Sequence, residues 1–482
     1  MDPHSYEVLE FDKVKNIIAG FTTWSKGREF VFGIEPYNNL SKLNSRRKEV
    51  REAILLEEKD EHVPIEGLND ISELLYRAGK GGILSGEDLV KVQKLLEVSG
   101  LLPRFFSVRK DLAPTLNIHA QRLYRDSRLL GDLRSCLTEE GRIKDSASKV
   151  LSGLRREIKR LEEKIREKIE QLFRSSIYQK MLQEPLVTAR EGRWVVPVKS
   201  EFRSQFPGLL IDRSSSGATV FMEPWLVVDI DNRLREARVE EKREEEKILS
   251  GLSRSVGEIV EELDRNLGIL AHLDLVISLG KFALKYGAVL PGINTRGHLN
   301  LVSARHPLLT VSPVPINVEL GGDYRTLVLT GPNTGGKTVT LKTVGLLSLM
   351  ALSGMPIPAD EKSSVPLFSN IFADIGDEQS IFQNLSTFSS HIIQLIRFLE
   401  RTDENTLVLI DELGAGTDPV EGTALGIAIL EYLHNKGART LVSTHYGEIK
   451  SFAAHYPGVQ NAAMEFDEET LRPTFRIKVG IP

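Results

Sequence analysis

Residues 327–341, L-V-L-T-G-P-N-T-G-G-K-T-V-T-L, constrain the fold more than any other stretch. An apolar run of β character (327–329) ends at a glycine-rich turn, and a helical pattern starts at Lys337. The turn holds G-x-x-x-x-G-K-[ST] as Gly331, Gly336, Lys337 and Thr338. Glycines are needed there because the backbone must wrap a phosphate and turn its N–H groups inward. Lys337 is then placed to reach the β- and γ-phosphates, and Thr338 to hold Mg²⁺ through its hydroxyl. The following helix points its positive end at the anion. Strand, loop and helix in this order predict an α/β nucleotide-binding sheet, whereas a glycine turn alone would predict nothing.

The rest of the chain must be read around that sheet. A length of 482 residues is enough for about three domains. With 41% hydrophobic and 27% charged residues, the chain can bury a core. The net charge of −5 gives no global basic signature, so a nucleic-acid partner must be held by a local patch. Cys136 is the only cysteine, which excludes an internal disulfide and a cysteine metal cluster. Residues 1–11 lack the basic and apolar regions of a signal peptide. No apolar run reaches about 18 residues, and the longest candidate, 343–352, follows the phosphate loop. A cytoplasmic protein without membrane partners is expected.

Residues 1–145 predict a helical core, with apolar positions three and four apart at Ile71, Leu74, Leu75, Leu89, Val92, Leu95 and Leu96. Ser85 and Asp88 read as a capping box. His119 and Tyr124 carry no catalytic spacing and read as surface or core residues. From 146 to 280 the pattern changes. Leu151, Leu154, Ile158, Leu161, Ile165 and Leu172 keep a stripe near 3.5 residues, with charges on the other faces, as in a coiled coil. A second charged helix is expected from about 226 towards 279. Two such helices can pair antiparallel, with the β-like segment 177–228 at their tip. Arg190, Arg193, Lys199 and Arg203 make that tip a candidate grip for a phosphate backbone. Its net charge of about +1 leaves a structural or dimerising tip equally open. Residues 281–298 return to the core, and the nucleotide domain occupies 299–482.

Beyond the phosphate loop, T-L-V-L-I-D-E (406–412) is a buried-strand run ending in two acids. Asp411 fits the Mg²⁺ shell and Glu412 the polarisation of attacking water. L-V-S-T-H (441–445) is a further strand ending in His445, which at the edge of a nucleotide site can hydrogen-bond a γ-phosphate. In N-L-S-T-F-S-S-H (384–391), Ser386 or Thr387 reads as the N-cap of a helix running to about residue 400. That helix start is also a second place to offer to an anion.

G-P-N-T-G-G-K-T (331–338), S-T-F (386–388), I-D-E-L-G-A-G-T-D-P (410–419) and S-T-H-Y (443–446), in this order, resemble the ATP-binding-cassette class and within it the MutS family. The MutS-two branch is the nearest match, and the resemblance covers the whole chain: helical core, coiled-coil levers, β-rich clamp and ATPase domain. It implies an ATPase using ATP and Mg²⁺, with the nucleotide held by Gly331, Pro332, Asn333, Thr334, Gly335, Gly336, Lys337 and Thr338. It implies that Asn333 touches the γ-phosphate in cis and that His445 senses it. It implies a head-to-tail homodimer in which Ser386 completes the partner's site. ATP would then close levers and clamp on branched or recombining DNA, antagonising recombination. Some members of the branch act instead on collided ribosomes and their RNA.

Other classes fit less well. Chromosome-organising ATPases of the Rad-fifty type place their coil between the P-loop and the D-E strand, and here it lies wholly before the P-loop. Transporter ATPases carry L-S-G-G-Q where this chain has L-S-T-F-S. Two departures from the family stand out. The residues before 327 are used up by core, levers and clamp, so mismatch reading is not expected. The chain reaches Pro482 directly after a strand-like run at 474–479, so we expect an ATPase domain truncated before the Smr nuclease domain, and these residues do not support nuclease activity.

Overall fold

The computed structural model describes residues 1–309, 313–332, 335–376, 387–467 and 472–480. They form two compact units. One combines Met1–Asp70, Val98–Leu123 and Arg265–Pro482, and the other Ile71–Glu97 and Tyr124–Asp264. The N-terminal helical stretch therefore contributes to both.

In the larger unit, six strands form one sheet in the order Asn370–Asp374, Thr406–Ile410, Arg439–Ser443, Thr326–Thr330, Val459–Asp467, Arg472–Val479. The first five run parallel, and the last pairs antiparallel with its neighbour. Thr326–Thr330, Thr406–Ile410 and Arg439–Ser443 are buried along their whole length. That is why they read as unbroken apolar runs and not as alternating ones. Helix Lys337–Leu352 crosses beneath the sheet, and almost all its residues are buried. Gly345 lies at a close contact of this helix. A Cβ there would sit 2.5 Å from Leu409 of the sheet and 2.6 Å from Leu9 of the N-terminal helices. The phosphate-loop helix is thus wedged between strand and helical core, and a glycine is what permits it.

Helix Val260–Tyr286 is long and apolar enough to cross a membrane by length and composition, although the sequence holds no uninterrupted apolar run of that length. Leu263, Leu267, Leu270, Leu273, Val276 and Leu279 are fully buried. Its polar groups have partners: Asn266 donates to Ser99 at 3.0 Å, and Asp274 accepts the Thr23 amide at 3.1 Å. Polar side chains satisfied in this way mark a core helix of a globular unit.

The smaller unit is built on helices Lys149–Arg174 and Trp225–Gly257. Their polar contacts run antiparallel: Ser148 meets Glu244, Arg155 meets Glu241 and Glu162 meets Arg238. The second helix ends at Gly257, short of the expected 279. There the chain passes so close to the Ala78 carbonyl that a Cβ would be 2.7 Å from its oxygen. Helix resumes at Val260. At the other end stands a four-stranded sheet in the order Thr188–Arg190, Arg193–Lys199, Thr219–Pro224, Gly208–Arg213. Leu161, Ile165, Ile169 and Leu172 of the helix pack with Val196, Val198, Val220 and Met222 of the sheet. Even-numbered strand residues therefore face the helices, as a period of two requires. Ser85 caps the helix Gly86–Val108 by accepting the Asp88 amide at 3.2 Å, but the Asp88 carboxylate turns to Lys91 at 3.4 Å and not back to the cap.

Candidate nucleotide site

Parallel strands bring their C-terminal ends to one edge of a sheet, where loops can share a ligand. Here Thr326–Thr330 and Thr406–Ile410 flank Arg439–Ser443, so the phosphate loop, the 411–412 acids and the 444–445 turn emerge side by side. Gly331 and Gly336 have φ of 117° and 93°, in the region that favours glycine. The Gly335 amide donates to Pro332 O at 3.0 Å, closing the turn. Asn333, Thr334 and Ser386 lie outside the described residues.

Five of the expected side chains meet here, three in one hydrogen-bonded chain and two in a pair beside it. The Lys337 ammonium, buried with its residue, donates to Gly331 O at 2.7 Å and to His445 Nδ1 at 3.3 Å. With Nδ1 accepting, the imidazole proton is on Nε2, which points to Glu412 Oε1 at 3.4 Å. Burial pushes the Lys337 pKa down, opposed by the nearby carboxylates of Asp411 and Glu412. Thr338 Oγ1 donates to Asp411 Oδ2 at 2.6 Å. Hydroxyl and carboxylate oxygens are the hard donors that Mg²⁺ takes, and it keeps waters and phosphate oxygens in its other positions. The donor set therefore fits that ion.

Four features were not legible in the sequence. Ser443 donates to Asp411 Oδ1 and accepts the Glu412 amide at 2.9 Å, so one hydroxyl positions both acids. It sits inside the S-T-H-Y motif, which drew attention only to its histidine. Glu412 itself has φ of 50°, a left-handed backbone rarely taken by non-glycine residues. Asp374 ends the neighbouring strand; its carbonyl accepts the Asp411 amide at 2.9 Å, and its carboxylate meets His391 at 2.9 Å. Lastly, Gly336, Val339, Thr340 and Thr343 of the loop and helix share an apolar cavity of about 360 Å³ with His306, Val314 and Phe475. A Cβ on Gly336 would come within 3.1 Å of the Phe475 ring. Burial drives the His306 pKa down to about 4, so this imidazole is neutral. Its Nδ1 accepts the Leu308 amide at 3.3 Å, and its buried Nε2 has no hydrogen-bond partner among the described residues.

The basic residues expected on the tip separate. Arg193 donates to the fully buried Glu223 at 2.7 Å, which makes it part of an internal ion pair. A buried carboxylate requires such a partner. Arg190 lies over the Phe221 ring at 4.6 Å and is exposed, as is Arg203, while Lys199 donates to the Lys180 carbonyl at 3.3 Å.

Comparison with known proteins agrees with this geometry. Residues 327–481 match the family described as MutS domain V. The whole chain is 43% identical to the endonuclease MutS2 of Halothermothrix orenii, covering 62% of that protein. It is 45% identical to the endonuclease MutS2 of a Geobacillus species over 98% of this chain and 61% of that protein. It is 44% identical to the putative endonuclease MutS2 of Bacillus subtilis over the same shares. The chain thus spans about 62% of the length of the curated relatives it matches. A phosphate loop joined through Lys337 and His445 to the acid pair lies in a segment that matches MutS domain V, and the chain is similar along its whole length to MutS2 proteins.

Proposed function

We propose that this chain is an ATP-hydrolysing nucleic-acid clamp of the MutS2 type, which closes on branched or recombining DNA and opposes homologous recombination. The observation that carries the ATPase part is the connection Lys337–His445–Glu412 beside Thr338–Asp411. In this reading Lys337 and the loop amides hold the β- and γ-phosphates, while Thr338 and Asp411 hold Mg²⁺, whose charge offsets that of the phosphates. Glu412 orients and deprotonates the attacking water. His445, a donor at Nε2, hydrogen-bonds the γ-phosphate, and the apolar cavity beside Phe475 takes the base.

We further propose that two chains share each ATP, with Ser386 of one completing the site of the other. Val420 supports an interface there: it is 78% exposed, one turn from the Gly414–Gly416 loop. The antiparallel helices and their terminal sheet serve as levers and clamp. The relatives' name includes an endonuclease activity; no residue of this chain is assigned to it. Mobility shift of branched DNA by the chain, with and without a non-hydrolysable ATP analogue, tests the clamp. Nucleotide-sensitive binding is expected. Co-sedimentation with ribosomes in place of DNA binding would move the partner to ribosomal RNA.

A further inference from the structure

A second polar cluster lies in the helical part of the larger unit, away from the nucleotide. Its geometry starts with Glu52 on helix Leu40–Glu58. This buried carboxylate accepts the Thr115 amide at 3.0 Å and the Leu116 amide at 2.9 Å, so it caps the helix Pro114–Gln121. Glu49 is one turn earlier on the same face, and His119 is one turn into the capped helix. The cap therefore sets the two side chains opposite each other. Glu49 Oε1 lies 2.9 Å from His119 Nε2. Helix Val260–Tyr286 brings His272, whose Nε2 lies 3.0 Å from Glu49 Oε2. The rings of His119 and His272 are 4.9 Å apart at their centres.

We propose that Glu49, His119 and His272 bind one divalent transition-metal ion of the zinc class, through the Glu49 carboxylate and the two Nε2 atoms. The ligating atoms all lie within 4.8 Å of one another. Around a tetrahedral ion with bonds near 2.0–2.1 Å, ligand atoms stand about 3.3 Å apart. The two Glu–His separations are already close to that value, so the ion requires chiefly that the imidazoles turn towards each other. Two imidazoles and one carboxylate suit zinc, cobalt or nickel, whereas Mg²⁺ takes oxygen donors. Three protein ligands leave one position for an outside ligand. A way in exists: His272 and Arg46 line a cavity of about 890 Å³ with Tyr6, Tyr37 and Glu35. Arg46 Nη1 stands 3.6 Å from Glu49 Oε2 and makes no hydrogen bond among the described residues, so it can face an anionic fourth ligand.

The carboxylate is ready for this role. Burial pushes its pKa up, but hydrogen bonds from both histidines and the charges of His272 and Arg46 outweigh that and hold it down to about 2. Each Nε2 presents its lone pair to the ion when the ring proton is on Nδ1. The competing account is a purely hydrogen-bonded core cluster, which takes up no metal.

The test uses the full, tag-free, metal-stripped chain with excess Mg²⁺ and no nucleotide. Titration with Co²⁺ should give the strong visible absorption of a four-coordinate ion, saturating at one ion per chain and bleached by Zn²⁺. His272→Ala and Glu49→Gln should lose the band, and Thr338→Ala, at the P-loop, should keep it. No band in the wild type, or a band retained in His272→Ala, overturns the proposal. A second measurement needs no variant. Diethylpyrocarbonate should label His119 and His272 in the metal-free chain, and Zn²⁺ should protect both while exposed His62 stays reactive. Labelling of the two that ignores Zn²⁺ overturns the site regardless of how the variants fold.

Discussion

Lys337 donates a hydrogen bond to His445 Nδ1 at 3.3 Å, and that contact decides what the rest of the imidazole can do. It leaves Nε2 as the donor, aimed at Glu412 Oε1. The lysine proposed to hold phosphate and the acid proposed to act on water are therefore joined through one ring. A change at the phosphate can reach the acid by altering which partner the ammonium prefers.

The roles of the two ends should separate on mutation. Glu412→Gln should bind ATP with near-normal affinity while kcat falls by about 10²–10⁴, the usual contribution of a general base. Lys337→Ala should lose binding as well. Fluorescent-nucleotide titration beside steady-state turnover distinguishes them, and equal loss of binding in both variants contradicts the assignment.

Ser443→Ala should lower kcat without abolishing nucleotide binding. It removes the hydroxyl that positions Asp411 and satisfies the Glu412 amide, leaving that N–H without its partner at a cost of about 1–3 kcal/mol. Turnover about tenfold or more below wild type is expected, with Mg²⁺ dependence shifted to higher concentration. A kcat and Mg²⁺ profile equal to wild type rules out the bridging role.

His306 makes the larger unit sensitive to acid. Its folded pKa of about 4 lies below the ordinary 6.5, so the unfolded chain binds the proton first as pH falls. The stabilising contribution is complete above 6.5 and is lost as pH falls towards 4, by about 3 kcal/mol in all. His306→Leu lacks this term. The stability of wild type relative to the variant should therefore drop across that window in urea titrations, and a constant difference counts against burial of a neutral imidazole. The same variant should raise KM for ATP if the cavity takes the base.

The basic residues of the four-stranded sheet should fall into two classes. Arg190→Ala and Arg203→Ala should weaken DNA binding and each lower the salt slope by about one unit, while leaving the fold intact. Arg193→Ala should destabilise the smaller unit by roughly 1–3 kcal/mol, because Glu223 loses the partner of a charge-assisted bond. Salt-dependent binding curves and thermal melts of the three variants provide the comparison. Identical salt slopes throughout indicate a tip that binds no phosphate backbone.

ATP should act as a linker between chains. Binding that favours the dimer must tighten it. Glu412→Gln with ATP and Mg²⁺ is expected to shift sedimentation towards the dimer, and Ser386→Ala added to it should weaken the shift. A mass unchanged by ATP, in a chain shown to bind it, excludes the shared site.

Much of this protein could be read from its residues because its strongest signals are local. The phosphate loop is one contiguous turn whose glycines answer to backbone geometry, and buried parallel strands spell themselves as unbroken apolar runs. The stripe from Leu151 to Leu172 likewise needs only the helical period. What the sequence could not decide were pairings between distant positions. Ser443 reaches Asp411 and Glu412 only because their strands are neighbours in the sheet. Arg193 looked like its basic neighbours until pairing of Arg193–Lys199 with Thr219–Pro224 set it beside buried Glu223. The apolar helix Val260–Tyr286 hid its character behind His272 and Asp274, whose polarity is satisfied by Glu49 and Thr23 more than two hundred residues away. Local chemistry specifies turns, periods and caps; which side chains share a charge or a proton depends on contacts that only the folded chain creates.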